Sequence, residues 1–311
     1  MLKRTNILAL VGGGKAPYYP PNKLIIWDDH QGKIISKLRF NENILNVRLR
    51  NDKIITVLEN KIYIFNLNTL ETITTLDTYT NPTGIIGISN GDNNKLILAY
   101  PFESQGNVLL KDIISLDKIE NTQTQIIKAH DSGIACISVN KDGTLLATSS
   151  DKGTLIRIFS TADGGKLSEF RRGTTYVEMN HISFDLNNKF IGCTSNVGTI
   201  HFFSLSGIMK TLNENNEENK NERKNSEEEP KNTKSLLGKI GGLFGVKSSY
   251  LDTERYFAKF KVQEEYSLLG FGLENTIIII TMDGKYYKAA YDPKKGGDCC
   301  QIESKNIFDD N

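Results

Sequence analysis

The amino-acid sequence predicts an all-β fold, and three observations lead to this prediction. Short apolar strand patterns recur along the chain, polar turns separate them, and no convincing amphipathic helix interrupts the series. The 311 residues suffice for one large β domain or for two ordinary domains. Because one pattern runs through almost the whole chain, the sequence favours a single domain.

One unit recurs: a short apolar strand that ends in an aromatic or aliphatic residue, followed by a polar turn. The successive strands end at Trp27, Phe65, Leu110, Phe159 and Phe203, and a weaker sixth copy lies at 286–291. The steps between the first five copies are 38, 45, 49 and 44 residues. A period of about 40–45 residues with four short strands is typical of the blades of a WD40-type β-propeller. We therefore predict one β-propeller over 1–311.

Four strands can be assigned within one period, and the same order repeats in the next. The turn Lys141-Asp142-Gly143 separates the first two strands of the clearest copy. The predicted strands are 133–139, 145–150, 155–159 and 166–172, then 181–184, 190–194 and 199–203, with the first strand of the chain at 7–11. Side chains along each strand alternate between two faces, which limits the residues that can share a pocket.

Composition excludes several classes of protein. Lys and Arg total 38 against 37 Asp and Glu, whereas a general nucleic-acid binder is usually clearly basic, so any anion recognition must be local. No run approaches the roughly 20 apolar residues of a membrane-spanning helix. The four cysteines show no CxxC spacing, and Cys136 and Cys193 lie in apolar strand patterns, which indicates a reducing, cytoplasmic environment.

The sequence gives no indication of an enzyme, a metal site or a cofactor. It contains no nucleophile elbow, no cluster of metal ligands and no P-loop, since Gly12-Gly13-Gly14-Lys15 lacks both the Walker spacing and the following Ser or Thr. We therefore expect a binding protein without catalytic residues. A protein-interaction propeller that binds no lipid remains the alternative.

The run Phe170-Arg171-Arg172-Gly173, at the end of a predicted strand, is the most informative motif. Because neighbouring side chains point to opposite faces, Arg171 and Arg172 cannot easily serve one pocket and are placed to serve two. The arginine fork is well suited to phosphate. The motif therefore predicts two anion sites that share one strand, although an Arg-Arg pair can also be an ordinary solvated surface.

A polar insertion separates the fifth and sixth copies of the repeat. Residues 213–234 are almost wholly polar, so we predict a disordered loop over 207–250. The apolar residues that follow fall on one face of a helix: Leu236, Leu237, Ile240, Leu243 and Phe244. Glycines make this helix weak in water, which suits a segment that becomes ordered on inserting into a membrane. A glycine-rich loop that covers a blade edge is the alternative.

Taken together, these motifs resemble the PROPPIN family, the WIPI-type β-propellers of autophagy that bind polyphosphoinositides. The resemblance covers nearly the whole chain, and it rests on Phe170–Gly173, on 6–15 with 19–23 and 26–29, and on 147–157. It implies binding of phosphatidylinositol 3-phosphate and phosphatidylinositol 3,5-bisphosphate at two pockets on the rim.

The resemblance also assigns residues to each pocket. The first pocket would contain His130, Ser150, Thr154 and Arg171, and the second would contain Arg172, Ser195, Thr199 and His201. Thr199 and His201 are two residues apart on a predicted strand and so face the same way, which agrees with one pocket. Hydroxyl groups can donate to phosphate oxygens, and a histidine can donate or carry charge near pH 6.5.

The resemblance further implies an adaptor that moves from the cytoplasm to phagophore, endosomal or vacuolar membranes. It would recruit autophagy machinery, including a lipid-transfer protein, and direct protein localization to the phagophore assembly site. The family propeller has seven blades, whereas about six repeats are visible here. We therefore expect that the first blade is missing and that an edge near residues 1–15 is exposed or poorly paired.

Overall fold

The computed structural model describes residues 5–91, 96–114, 124–215, 230–233 and 254–308. Within these residues the strands form six sheets, which we name A to F in chain order. Apart from one short parallel pair, each sheet is a meander of antiparallel strands, so the all-β prediction is confirmed. The strands are two to seven residues long, as short as those of propeller blades.

The strands of the first three sheets follow directly in sequence. Sheet A contains β1 (Ile7–Val11), β2 (Lys23–Asp28) and β3 (Lys33–Arg39). Sheet B contains β4 (Asn46–Leu49), β5 (Lys53–Val57), β6 (Lys61–Asn66) and β7 (Thr72–Asp77). Sheet C contains β8 (Gly87–Ile88), β9 (Ile97–Pro101), β10 (Asn107–Asp112) and β11 (Thr124–Lys128).

The last three sheets contain the candidate site. Sheet D contains β12 (Ile134–Val139), β13 (Leu145–Ser150), β14 (Leu155–Ser160) and β15 (Lys166–Arg171). Sheet E contains β16 (Met179–Phe184), β17 (Phe190–Ser195), β18 (Thr199–Ser204) and β19 (Ala258–Lys261). Sheet F contains β20 (Ser267–Phe271), β21 (Thr276–Thr281), β22 (Lys285–Ala290) and β24 (Cys300–Asn306). The short β23 (Gly297–Asp298) pairs in parallel with β19 of sheet E.

Local sequence explains why these strands begin and end where they do. The predicted strand 145–150 is β13, and the turn before it is closed by Asn140, whose Oδ1 accepts hydrogen bonds from the backbone N–H of Thr144 and Leu145 at 2.9 and 2.8 Å. Gly143 has φ 72°, a left-handed conformation that glycine adopts without steric cost. Turn chemistry and alternation therefore place the strands of this sheet almost to the residue.

Buried apolar clusters lie between successive sheets, which pack face to face. Such clusters join A with B, B with C, C with D, D with E, and E with F. Between D and E, the rings of Phe170 and Phe203 stack with centroids 5.0 Å apart. Cys136 and Cys193 are buried in the same cluster, as their apolar surroundings predict. This is the blade packing of a propeller, with the first strands of the sheets around a central cavity.

Sheet A differs from the four-stranded sheets. It contains three strands, and within the described part of the chain β1 pairs only with β2. Leu10 on β1 is 44% exposed. The expectation of a missing first blade remains a prediction.

The insertion begins as a helix, and the largely disordered loop predicted over 207–250 stays a prediction for the rest of that range. Helix α1 (Ser206–Asn215) directly follows β18, and Ile208 packs into the apolar cluster between sheets D and E. Burial of this apolar side chain outweighs the polar composition of the segment. The five apolar residues predicted to insert into membranes lie outside the described residues. No helix in the described ranges is long and apolar enough to cross a bilayer.

Candidate functional site

The two adjacent arginines lie on opposite faces of sheet D. Phe170 packs against sheet E, and Arg172 follows two residues later on the same face. Arg171 pairs in register with Leu155, and Glu169, two residues earlier, pairs with Arg157 on the face toward sheet C. Alternation along β15 therefore separates the two guanidinium groups, as the sequence predicts.

Arg172 is held by backbone carbonyls rather than by a carboxylate. Its Nε donates to the carbonyl of Gly153 at 2.6 Å, and its Nη2 donates to the carbonyl of Thr175 at 2.5 Å. Only 8% of the residue is exposed, and burial lowers the pKa of the guanidinium. No ion pair joins Arg172 to a carboxylate within the described residues. Because a guanidinium has five N–H donors, donors remain for an anion.

Gly153 is required for this arrangement. It has φ 62°, and a Cβ at this position would lie 2.2 Å from the carbonyl oxygen of Val177. Only glycine fits at this position in the loop between β13 and β14, because the Val177 carbonyl lies so close to it. The loop can therefore present the Gly153 carbonyl to Arg172.

The opposing face of sheet E presents three of the predicted residues together. Cys193 lies opposite His201 across β17 and β18, so Ser195, Thr199 and His201 share the face that packs toward sheet D. Ser195 Oγ and His201 Nδ1 are buried and have no hydrogen-bond partner among the described residues. Buried polar atoms are normally paired, so these two atoms indicate a place for a polar ligand or water.

His201 is neutral in this environment. Burial, followed by the charges of Arg172 and Lys259, lowers the pKa of His201 to about 4. Of the two roles expected for this histidine, donating a hydrogen bond and carrying charge, the low pKa favours the first in the ligand-free protein. Desolvation penalises the imidazolium, so the ring acts as a neutral hydrogen-bonding group.

Two lysines and a tyrosine of this face were missed by the sequence reasoning. Lys259 pairs with His201 and Lys261 with Thr199, so both lysines lie on the face toward sheet D. The ring of Tyr256 is centred 5.1 Å from that of His201. The insertion separates these residues from β18 in sequence, and the alternation of Ala258 and Phe260 with two lysines was the signal that could have found them.

The face of sheet D toward sheet C has a different polar arrangement. His130 Nε2 lies 3.0 Å from Thr148 Oγ1. Arg157 donates through Nη1 to the carbonyl of Ala129 at 2.7 Å and forms an ion pair with Glu169 at 2.8 Å. Burial and the charge of Arg157 lower the pKa of His130 to about 4. His130 is therefore also neutral, and Arg157 is the nearby cation that the sequence reasoning did not assign to the site.

The remaining two residues of the first predicted pocket, Ser150 and Thr154, differ in which arginine they lie beside. Ser150 is buried at the end of β13, two residues beyond Thr148 and on the same face. Thr154 lies in the loop before β14, and its carbonyl accepts the backbone N–H of Arg172 at 3.0 Å. The structure therefore places His130 and Ser150 on the face of Arg171, whereas the described contact of Thr154 is with Arg172. Its assignment to the first pocket stays a prediction.

Comparison with known proteins identifies the family. The PROPPIN family model matches residues 15–308. Autophagy-related protein 18e of Arabidopsis thaliana is 32% identical over 99% of this chain and 75% of its own length. WD repeat domain phosphoinositide-interacting protein 1 of Xenopus laevis is 33% identical over 93% of this chain and 65% of its own length.

Solved structures share the fold. Kluyveromyces lactis Hsv2 has a TM-score of 0.73 at 20% identity and covers 99% of this chain and 85% of its own. A chain in the complex of KlAtg21 with the coiled-coil of AgAtg16 has a TM-score of 0.73 at 23% identity, with 99% and 84% covered. The resemblance of the sequence motifs is thus confirmed over nearly the full length. The chain belongs to the PROPPIN family.

Proposed function

We propose that this protein is a peripheral membrane adaptor that binds phosphatidylinositol 3-phosphate and phosphatidylinositol 3,5-bisphosphate through two pockets. The observation that supports this most directly is the placement of Arg171 and Arg172 on opposite faces of sheet D, with a neutral histidine on each face. The printed name of the Xenopus relative, a phosphoinositide-interacting protein, supports the class of ligand.

The second pocket has the chemistry that a phosphate monoester needs. A phosphate beside Arg172 would accept the remaining guanidinium donors and give Ser195 Oγ and His201 Nδ1 a partner. A charge-assisted hydrogen bond of this kind contributes about 1.5–3 kcal/mol. One headgroup therefore binds weakly, and firm attachment to a membrane requires both pockets together.

A membrane-inserting segment adds to the affinity. The apolar face formed by Leu236, Leu237, Ile240, Leu243 and Phe244 enters the bilayer once the headgroups are bound. Burying these side chains contributes several kcal/mol at about 25 cal/mol per Å², before the cost of ordering. Replacing Leu243 and Phe244 with Asp should abolish liposome binding and leave soluble headgroup binding unchanged.

As an adaptor, the protein would recruit autophagy machinery, including a lipid-transfer protein, from the cytoplasm to phagophore, endosomal or vacuolar membranes. Membership of a family with relatives named autophagy-related protein 18 supports this role. The similarity to a chain in a complex with a coiled-coil supports protein partners as a second class of ligand.

The number of soluble headgroups bound per protein tests the proposal. Titration calorimetry with the soluble phosphatidylinositol 3-phosphate headgroup should give two headgroups per parent protein and one per Arg171→Ala or Arg172→Ala variant. Flotation with liposomes should fall in each single variant and disappear in the double variant. Arg39→Ala, which removes an exposed arginine at the end of β3, is the matched control.

Two outcomes would contradict the proposal. A parent stoichiometry of one, or a double variant that still floats with lipids phosphorylated at the 3-position, would overturn the two-pocket assignment. A parent protein that binds no phosphoinositide liposome would favour the alternative, a protein-interaction propeller without lipid binding.

A further inference from the structure

The insertion between β18 and β19 has a base that hydrogen bonds hold in place. Residues 230–233 form the N-terminal side of this base and residues 254–257 form its C-terminal side. The 20 residues 234–253 separate the two sides in sequence, and the apolar face proposed to enter the membrane belongs to them. The position of the base therefore decides which part of the propeller this apolar segment starts from.

Asn232 ties the N-terminal side of the base to sheet E. Its Oδ1 accepts the backbone N–H of Ser204, the last residue of β18, at 2.6 Å, and its Nδ2 donates to the Ser204 carbonyl at 2.9 Å. The hydroxyls of Ser204 and Ser206 each donate to the carbonyl of Pro230 at 2.8 Å. An amide side chain that pairs with both backbone groups of one residue acts like a neighbouring strand, so it fixes the position of this side.

Glu254 joins the two sides of the base. Its Oε2 accepts a hydrogen bond from Asn232 Nδ2 at 2.7 Å, and hydrogen bonds to a carboxylate are about twice as strong as those between neutral groups. The backbone N–H of Arg255 donates to the Thr233 carbonyl at 2.8 Å, and Thr233 Oγ1 donates to the Tyr256 carbonyl at 2.8 Å. We name the hydrogen bonds of the Asn232 and Glu254 side chains the clamp. Because of it, the chain leaves and re-enters the propeller at one place.

The C-terminal side of the base also contacts residues of both predicted lipid pockets. The backbone N–H of Arg171 donates to the Glu254 carbonyl at 2.8 Å, and Phe170 and Glu254 form a parallel β-bridge. Two residues later, the ring of Tyr256 is centred 5.1 Å from that of His201. The base is therefore fixed beside β15, the strand at whose end the two arginines lie.

The clamp shortens the chain between fixed points of the insertion. Without it, the span from α1, which ends at Asn215, to β19, which begins at Ala258, would be 42 residues rather than 20. The effective concentration of a tethered segment falls as about the −3/2 power of the tether length, so doubling the span lowers it about threefold. With the clamp, Leu236 follows Thr233 by three residues, a distance of at most about 11 Å.

We propose that Asn232 and Glu254 are positioning residues for membrane attachment. Their clamp holds the start of the apolar segment 236–244 beside the headgroup pockets, so that the pockets and the segment engage the same bilayer. The inference rests on the proposed function and adds to it the device that couples its two membrane contacts. Neither residue touches the headgroup, so the clamp acts on membranes and not on soluble ligand.

Asn232→Asp tests the clamp with almost no change of shape. The variant keeps the acceptor for the Ser204 N–H, loses both donated bonds and places a carboxylate against Glu254. We expect affinity for phosphatidylcholine vesicles with a few per cent of phosphatidylinositol 3-phosphate to fall by about threefold or more. Calorimetry with the soluble headgroup should give the parent affinity and stoichiometry. Asn68→Asp, at an exposed residue in the turn between β6 and β7, is the matched control.

A second substitution reverses the polarity of the bond between the two sides. Asn232→Asp combined with Glu254→Gln places the amide donor at 254 and the carboxylate acceptor at 232, so the bond forms again and vesicle affinity should return towards that of the parent. Phe244→Trp, added to each protein, reports entry of the segment into the bilayer, and Trp27 is the only other tryptophan. Its emission should shift to shorter wavelength on vesicles, at about threefold higher lipid concentration in Asn232→Asp than in the parent.

Three results would overturn the proposal: equal vesicle affinity of the parent and Asn232→Asp, a parallel loss of soluble headgroup affinity in Asn232→Asp, or a double variant no better than the single one. A parent that binds neither headgroup nor vesicle contradicts the proposed function itself, so the two failures differ.

Thermal melting establishes that each variant is folded. Should Asn232→Asp fail to fold, Glu254→Ala removes the acceptor of Asn232 and leaves the backbone contacts of the base. It should weaken vesicle binding, whereas Glu254→Gln, which keeps an acceptor, should not. Vesicle affinity equal to that of the parent in both of these variants would then overturn the clamp.

Discussion

The two faces of sheet D differ in how their polar groups are paired. Toward sheet C, Arg157 is neutralised by Glu169, and His130 has Thr148 as its partner. Toward sheet E, Arg172 contacts backbone carbonyls, and His201 Nδ1 has no partner within the described residues. The same alternating strand thus separates a compensated face from a face that retains positive charge.

This difference teaches that burial of an arginine does not by itself make an anion site. A carboxylate partner cancels the potential of Arg157, whereas carbonyl partners orient Arg172 and leave its charge available. Lys261 adds positive charge on the opposing sheet, whereas Lys259 forms an ion pair with Asp298 at 3.4 Å. We therefore expect the second pocket to bind its headgroup more tightly than the first.

The largest expected effect is the dependence of the free energy of unfolding on pH, to which the histidines of the two faces should contribute equally. The folded-state pKa of His130 and of His201 is about 4, below the ordinary value of 6.5, so the unfolded chain binds more protons at pH 5. Stability is fully present above about pH 6.5 and falls down to about pH 4, by on the order of 2 kcal/mol per histidine at pH 5. Urea unfolding between pH 7 and 5 measures this fall, and His130→Gln and His201→Gln should each flatten it similarly. If one variant flattened the fall in unfolding free energy much more than the other, the two histidines would not be equally buried from protons.

The next effect is the loss of headgroup affinity in the arginine variants, which should differ between the two faces. Arg172→Ala removes donors to two carbonyls and the uncompensated charge, so headgroup affinity at the second pocket should fall by about 10- to 150-fold, equivalent to about 1.5–3 kcal/mol. Arg171→Ala should reduce affinity at the first pocket by a smaller factor, which still removes that headgroup from the stoichiometry because the first pocket is the weaker one. Titration calorimetry with soluble headgroup measures both. A larger loss in Arg171→Ala would reverse the comparison.

Two matched variants that each remove a buried hydroxyl test whether that hydroxyl has a hydrogen-bond partner in the ligand-free protein. Ser195→Ala removes a buried hydroxyl without a partner among the described residues, so it should raise the free energy of unfolding by about 1 kcal/mol. Thr148→Val removes the hydroxyl that contacts His130, so it should lower that free energy by a similar amount, about 1 kcal/mol. Urea unfolding of the ligand-free protein checks both signs, and headgroup binding should weaken in Ser195→Ala. Destabilisation by Ser195→Ala would mean that the hydroxyl is already satisfied.

The smallest effect should come from the outlying lysines. Lys261→Gln removes an exposed charge from the face of the second pocket and should weaken headgroup binding by about twofold to fivefold at low salt, and less at high salt. Lys33→Gln on β3 of sheet A is the control. Equal affinity of Lys261→Gln and the control at low salt would show that this lysine lies too far from the phosphate.

Local sequence determined the strands and the directions of their side chains. The predicted strands 7–11 and 145–150 coincide with β1 and β13, and the opposed directions of Arg171 and Arg172 follow from the two-residue period of a strand. These features depend on a few neighbouring residues, so a sequence contains them without knowledge of the fold. The motif Phe170–Gly173 indicated the family for the same reason, since its residues are contiguous.

The tertiary structure alone decided what surrounds those side chains. Lys259 meets His201 only because β19 returns to sheet E after the insertion. The carbonyls that hold Arg172 belong to two different loops, one between β13 and β14 and one between β15 and β16. Helix α1 is ordered by the packing of Ile208 on the core, although the segment is polar in composition. The low pKa values of the histidines have the same origin. Side-chain direction is a local property of a strand, whereas pairing, burial and charge depend on which sheets pack together.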